Sequence, residues 1–275
     1  MSFEYPEARL LAGQLDATIN GKTIISYDLK DYEKIQRIGF INKNLCDYKR
    51  LVGRTIIGVG SRGNTIRVKL DGGMNLLLAP EYGGVILYHQ VDEDAKYHLR
   101  IGFTGGDSLT VRLMSMGVIY AADDKQLDSV YIYKRDYCGS PSPCDLTLEQ
   151  FTKLITANAK QLKPLIVGKD AVVSGFSNSA FQDVLYRSGI HPRRKSSELS
   201  SGQINNLYDA MKTLIEERLR LGGKDEFLDL FGKQGGYTPV MGSNMKDQIC
   251  PKCGAKAEKM ALGGGQVYYC PGCQK

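Results

Sequence analysis

Cys250-Pro-Lys-Cys253 and Cys270-Pro-Gly-Cys273 are two Cys-x-x-Cys pairs separated by residues 254–269. That is the spacing of a four-cysteine zinc site. Zn2+ takes a tetrahedral shell, and four thiolates fill it with no position left for a reacting water. Each pair offers two ligands from one tight turn, and Gly254 and Gly272 beside the cysteines permit the backbone geometry of such turns. The alternative is two disulfides or idle thiols. A closed zinc site performs no chemistry. It holds a small C-terminal hairpin rigid, so the purpose must be sought in the elements around it.

The chain of 275 residues is long enough for two domains plus such a finger. At 42% hydrophobic and 24% charged it has the composition of a globular protein. No apolar run approaches the roughly 18 residues of a membrane span. The N-terminus, Met1-Ser-Phe-Glu-Tyr-Pro-Glu7, is acidic and lacks the order of a secretory signal. Cys46, Cys138 and Cys144 form no framework, which points to a reducing cytoplasm. The net charge of +6 is compatible with a polyanion partner. There is no Trp, and the only histidines are His89, His98 and His191, so a histidine-based catalytic constellation is not expected.

A helix is predicted from Pro6 to Thr18, with Pro6 in its first turn, Leu10, Leu11 and Leu15 on one stripe, and Asn20-Gly21 as the stop. Short strands follow at Thr55–Val59, Thr65–Leu70, Met74–Leu78, Val85–Tyr88, Leu99–Phe103, Ser108–Leu113 and Val118–Ala121. They are β-branched or apolar and separated by Gly-containing turns, the pattern of an antiparallel sandwich or barrel. Residues 131–145 read as a linker. Beyond it the chain is helical. Thr147-Leu-Glu-Gln150 is a capping box for a helix to Ala157. Ser179–Ser188 is a second helix, closed by Gly189 and Pro192. Ser200-Ser-Gly-Gln203 opens a long helix with Ile204, Leu207, Met211, Leu214 and Ile215 on one face, interrupted by Arg218 and ended by Gly222-Gly223. A polar, Gly-rich loop then leads into the finger.

Gly175-Phe-Ser-Asn178, a helix, and Ser188-Gly-Ile-His-Pro192 together resemble the helix–two-turns–helix signature of the formamidopyrimidine-DNA glycosylase / endonuclease VIII family. Val267-Tyr-Tyr-Cys-Pro-Gly-Cys-Gln274 is similar to that family's last finger strand, and Phe3-Glu-Tyr-Pro-Glu7 to its N-terminal Pro-Glu-Leu-Pro-Glu. The resemblance implies an α+β, multi-domain protein. It would have an N-terminal β-sandwich with a leading helix (1–130), a linker (131–145) and a helix–two-turns–helix DNA-binding domain (146–232). A loop (233–246) and a four-cysteine zinc finger (247–275) would complete it.

The resemblance also implies base-excision repair of oxidised bases in DNA, with the lesion flipped out of the duplex. In that chemistry a free N-terminal amine attacks the sugar C1′ and forms a Schiff base, an adjacent Glu handles protons, and elimination cleaves the strand. Glu4 falls on the catalytic Glu and Glu7 on the second acidic position; alternatively both acids complement a helix dipole. Phe3 stands where the family has its terminal Pro, so the amine would belong to Ser2 after removal of Met1. Asn64 occupies the position of a phosphate-touching Lys, Met114 or Met116 that of the side chain wedged into the duplex, and Gly265 that of the finger's phosphate-binding Arg. Asn178 is a DNA-phosphate contact or a simple N-cap. Lys163, Lys169 and the run Arg193-Arg-Lys195 contact phosphate or are merely solvated. His191 is read as a packing residue. The resemblance thus implies damaged or abasic DNA as partner, one structural Zn2+, no membrane, and a monomer. The alternatives are a paralogue that binds damaged or distorted DNA without base excision, and a zinc-ribbon protein unrelated to repair.

Overall fold

The computed structural model describes residues 3–91, 95–139, 141–167 and 171–275, without the side chain of Asp136. The chain divides into two units, Met1–Cys138 with Gly222–Gly236, and Gly139–Leu221 with Tyr237–Lys275.

The first unit begins with α1 (Tyr5–Ile19), which has Pro6 in its first turn and buries Ala8, Leu11, Ala12, Leu15 and Ile19 along one face. The chain continues through β1 (Ile24–Leu29), the short α2 (Glu33–Arg37), β2 (Ile56–Arg62), β3 (Thr65–Leu70) and β4 (Met74–Ala79). It ends with β5 (Val85–His89), β6 (Leu99–Phe103), β7 (Ser108–Arg112), β8 (Val118–Asp123) and the single-turn α3 (Asp124–Leu127). The strands form two antiparallel sheets of four, in the orders β1-β6-β7-β5 and β2-β3-β4-β8. Strand side chains alternate between faces. Ile66, Val68 and Leu70 of β3, with Met74, Leu76 and Leu78 of β4, join Ile101, Leu109 and Val111 of the other sheet in one core that also holds the α1 stripe. The β-sandwich with its leading helix is therefore present. The other face of β4 is not solvated: Leu77 and Ala79 pack with Val118, Ala122 and Leu127. That second layer explains why β4 is buried throughout.

Residues 222–236 belong to this unit and not to the helical one with which the sequence groups residues up to 232. The cause is apolar: Phe227 and Leu230 are buried in the sandwich core. Hydrogen bonds fix the segment, from Gln14 Nε2 to Asp229 Oδ2 (2.9 Å), from Leu230 N to Gln14 Oε1 (3.0 Å) and from Tyr88 N to Leu230 O (2.9 Å).

The second unit holds α4 (Leu148–Thr156), α5 (Leu162–Val167), α6 (Asn178–Ser188) and α7 (Ser201–Arg220), then a hairpin of β9 (Glu258–Leu262) and β10 (Gly265–Tyr269). The two predicted capping boxes form, at Thr147/Gln150 and Ser200/Gln203. Gly189 closes α6 with φ 70°, a left-handed conformation in which glycine has no Cβ penalty. Arg218, which breaks the apolar stripe of α7, is fully buried, with its guanidinium 5.2 Å from the Tyr237 ring centroid. Among the described residues no helix is long and apolar enough to cross a membrane.

Candidate functional site

The N-terminal acids lie inside the first unit. Glu4 is the residue from which α1 springs, and both Glu4 and Glu7 are 0% exposed. Glu4 N donates to Glu7 Oε2 at 3.3 Å, closing the first turn. The favourable field of a helix N-terminus helps to hold carboxylates there. It does not repay burial alone, and buried charges need a partner. Lys224, 3% exposed, is that partner: its Nζ is 3.2 Å from Glu4 Oε2, and its backbone N–H donates to Glu7 Oε1 at 3.2 Å. Sequence reasoning misses Lys224, because its role depends on a contact 220 residues away. Phe3 is buried against Phe227, with ring centroids 6.4 Å apart. Ser2 lies outside the described residues.

Asn64, in the β2–β3 turn, donates from Nδ2 to Glu81 Oε1 at 2.9 Å. Met114 (57% exposed) and Met116 (46%) stand out from the loop after β7. Tyr82, 44% exposed at φ 51°, projects from the β4–β5 turn; a Cβ on the neighbouring Gly83 would lie 3.7 Å from Met114 Cγ, so the two loops meet. Sequence reasoning did not single out Tyr82; an aromatic beside Gly83-Gly84 between two predicted strands is the signal that could have found it. The three histidines are separately employed. His89 Nε2 pairs with Thr110 Oγ1, His98 Nδ1 accepts from Leu113 N, and His191 packs edge-on against Tyr269.

In the second unit three of the sequence candidates converge on the turn between β9 and β10. Lys163 Nζ donates to Leu262 O at 2.6 Å, and Asn178 Nδ2 donates to Gln266 O at 2.7 Å, so the two side chains clasp the turn from its two strands. A Cβ on Gly265 would be 3.5 Å from Lys163 Nζ and 3.9 Å from Asn178 Nδ2. Lys163 is buried, not solvated, and burial pulls its pKa down. The N-cap of α6 is Ser177, whose hydroxyl accepts from Ser179 N at 3.3 Å; Asn178 is therefore not the cap. Arg194 pairs with Glu198 at 3.5 Å, whereas Arg193 and Lys195 are exposed. Lys169 lies outside the described residues.

The sulfurs of Cys250, Cys253, Cys270 and Cys273 all lie within 4.8 Å of one another, and all four cysteines are free, which removes the disulfide alternative. The Sγ–Sγ separations are 3.7 Å for Cys250–Cys273 and 3.3 Å for Cys253–Cys270. A tetrahedron with metal–sulfur bonds of about 2.3 Å has edges of about 3.8 Å, so the cluster suits a thiolate-bound metal ion. The Tyr186 hydroxyl is 3.2 Å from Cys250 Sγ. Burial raises the Cys250 thiol, but the Tyr186 hydroxyl and nearby backbone amides outweigh it and hold the thiol at about 6. Gln274 ties the finger to the turn after α6, accepting from Cys270 N and donating to Ile190 O.

Comparison with known proteins matches two family models. The formamidopyrimidine-DNA glycosylase N-terminal domain covers residues 3–114, and the formamidopyrimidine-DNA glycosylase H2TH domain covers residues 139–227. The formamidopyrimidine-DNA glycosylase of Roseiflexus sp. (strain RS-1) is 25% identical over 283 residues, 99% of both chains. That of Pelotomaculum thermopropionicum is 26% identical over 279 residues, again 99% of both. In fold, the chain resembles Lactococcus lactis Fpg in complex with abasic-site DNA, at a TM-score of 0.84 and 22% identity over 99% of both chains. It also resembles MutM in complex with DNA containing carbocyclic 8-oxo-G, at 0.81 and 21% over 99% of both.

Proposed function

The chain belongs to the formamidopyrimidine-DNA glycosylase family, and on that footing we propose that it excises damaged bases from DNA and cleaves the strand at the resulting abasic site. The observation that carries this is the fully buried Glu4 at the start of α1, held by Lys224 beside the chain's N-terminal segment. A carboxylate fixed there is placed to accept a proton from an attacking amine and return it to the leaving group. Once Met1 is removed, Ser2 carries the terminal amine and is one candidate nucleophile. A primary amine near pKa 8 is partly unprotonated at neutral pH, which suits Schiff-base chemistry.

On the DNA side, Asn178 and Lys163 at the glycine turn of the finger are the candidate phosphate contacts, and Lys169 is a further candidate from the sequence. Asn64 offers a polar contact from the sandwich. Exposed Met114 and Met116 fill the stack vacated by the flipped base, as apolar wedges do. One Zn2+, held by Cys250, Cys253, Cys270 and Cys273, supplies no reacting site. It fixes the two turns that carry β9 and β10. A cytoplasmic monomer acting on the genome fits this role.

The test is base release and strand incision from a panel of duplexes, each with one oxidised base or one abasic site. Incision supports the excision activity. Salt-dependent binding without release or incision from any of them would instead identify a paralogue that only binds.

A further inference from the structure

Schiff-base chemistry needs an amine beside the catalytic carboxylate. The residue directly before Glu4 is Phe3, and its nitrogen is a peptide nitrogen. Amide resonance withdraws that lone pair, so it cannot attack a sugar carbon. The position of Phe3 is set by its burial against Phe227.

A different amine stands at Glu4. Lys224 Nζ is 3.2 Å from Glu4 Oε2, and the turn that delivers it is built tightly. Gly222 and Gly223 both have left-handed φ, 73° and 92°, and a Cβ on Gly223 would strike the Phe227 ring. Gly235 closes over the turn so closely that a Cβ there would overlap the carbonyl oxygens of Gly223 and Lys224. With its backbone N–H on Glu7 and its amine on Glu4, Lys224 is fixed at both ends by the two N-terminal carboxylates.

Resting on the excision activity proposed above, we propose that Lys224 Nζ is the amine that forms the Schiff base in this chain, with Glu4 as its proton partner. The ammonium proton passes to Glu4 Oε2, which frees the nitrogen lone pair. Nζ attacks C1′ of the abasic aldehyde, forming the C–N bond, and a proton moves from the bound nitrogen to the former carbonyl oxygen. Glu4 returns a proton to the resulting hydroxyl, which leaves as water, and C1′=Nζ iminium remains. On an intact lesion nucleoside Nζ displaces the base from C1′, and the departing base takes the proton from Glu4; the C1′–O4′ bond of the sugar ring then opens as a proton moves from Nζ to O4′, which leaves the same iminium. The iminium acidifies C2′; loss of that proton and of the 3′ phosphate cleaves the strand, and water then releases the lysine. In the free protein Lys224 and Glu4 are closed off together, so the sugar must displace Nζ from Glu4 as it enters. The flexible four-carbon stem of Lys permits this, and catalytic contacts commonly rearrange between free and bound states.

The test uses the full-length, zinc-loaded protein with duplex DNA holding one abasic site. Sodium borohydride reduces any iminium to a permanent amine, and digestion with mass spectrometry locates it. The expected adduct is on the peptide that contains Lys224 and persists when the N-terminal amine is blocked by acetylation. In Lys224→Arg, which keeps the charge beside Glu4 but cannot form an imine, trapping falls by at least about 100-fold. If that variant does not fold, as judged by its melting curve, the wild-type peptide map alone decides, because a merely structural ion pair yields no covalent bond. An adduct on the N-terminal peptide or on another lysine overturns the assignment and leaves the excision activity standing. Base release without any adduct also overturns it. No adduct, no base release and no incision overturn both.

Discussion

Removing Glu4 should cost the fold as well as the chemistry, and the two losses can be separated. Glu4 and Lys224 are both buried, with 3.2 Å between Oε2 and Nζ. At an effective dielectric of about 20 their attraction is about 5 kcal/mol. Much of that offsets desolvation, so the pair adds little net stability, but breaking it strands a buried charge at a cost of roughly 3–5 kcal/mol. Glu4→Gln alone and Lys224→Met alone should each lower the unfolding free energy by about that amount. The double variant leaves no stranded charge and should lose far less than the sum, giving a coupling energy of about 3 kcal/mol. Urea unfolding followed by tyrosine fluorescence measures all four proteins. Losses that add to within about 0.5 kcal/mol would refute the reasoning, since residues that do not interact add. The same set separates stability from function. The double variant should be folded yet inactive, because neither the proton carrier nor the amine remains.

Three further outcomes are expected. Asp183 is fully buried and accepts from Arg187 Nε (2.8 Å), Tyr237 Oη (2.6 Å) and Val240 N (3.2 Å). Asp183→Asn should therefore cost about 3 kcal/mol, read as a drop in melting temperature of roughly 10 °C, whereas Tyr237→Phe, which leaves Asp183 paired with Arg187, should cost less. Lys163→Met removes the donor to Leu262 O at the glycine turn; affinity for abasic-site DNA should fall, and the slope of log K against log salt should become shallower by about one if Lys163 also meets a phosphate. Chelation should release one Zn2+ per chain, make four thiols reactive and abolish DNA binding; in Tyr186→Phe, which removes the hydroxyl 3.2 Å from Cys250 Sγ, a colorimetric chelator should draw the metal out faster.

Legibility from sequence followed the range of the interaction that decides each feature. Strands β3 to β8 were readable because alternation and turn glycines are local, and α6 and α7 because Gly189 and the Ser200/Gln203 box are short-range stop and start signals. β1 was not: in Ile24–Leu29 only the first residue is buried, so the alternation that marks a half-buried strand is missing. α5 was hidden by Pro164, which is tolerated in a first turn but reads as a breaker elsewhere. The metal cluster was plain from spacing alone. Asn178 was readable as a site candidate, but Ser177 takes the cap, since a one-residue shift of the helix start exchanges two polar neighbours with similar propensities. The buried acids were readable as acids, not as a buried ion pair. Lys224 looks like an ordinary charge after two glycines, and only the return of Phe227 and Leu230 to the sandwich core carries it to Glu4.

Strand incision at a single abasic site, compared between the zinc-loaded wild type and Glu4→Gln at saturating protein, tests the central claim most directly. Cleavage by the wild type, reduced at least about 100-fold in Glu4→Gln while binding of the same DNA persists, is the result expected of a carboxylate that moves protons in the reaction. Equal incision by the two proteins, or tight salt-dependent binding with no incision by either, would contradict it.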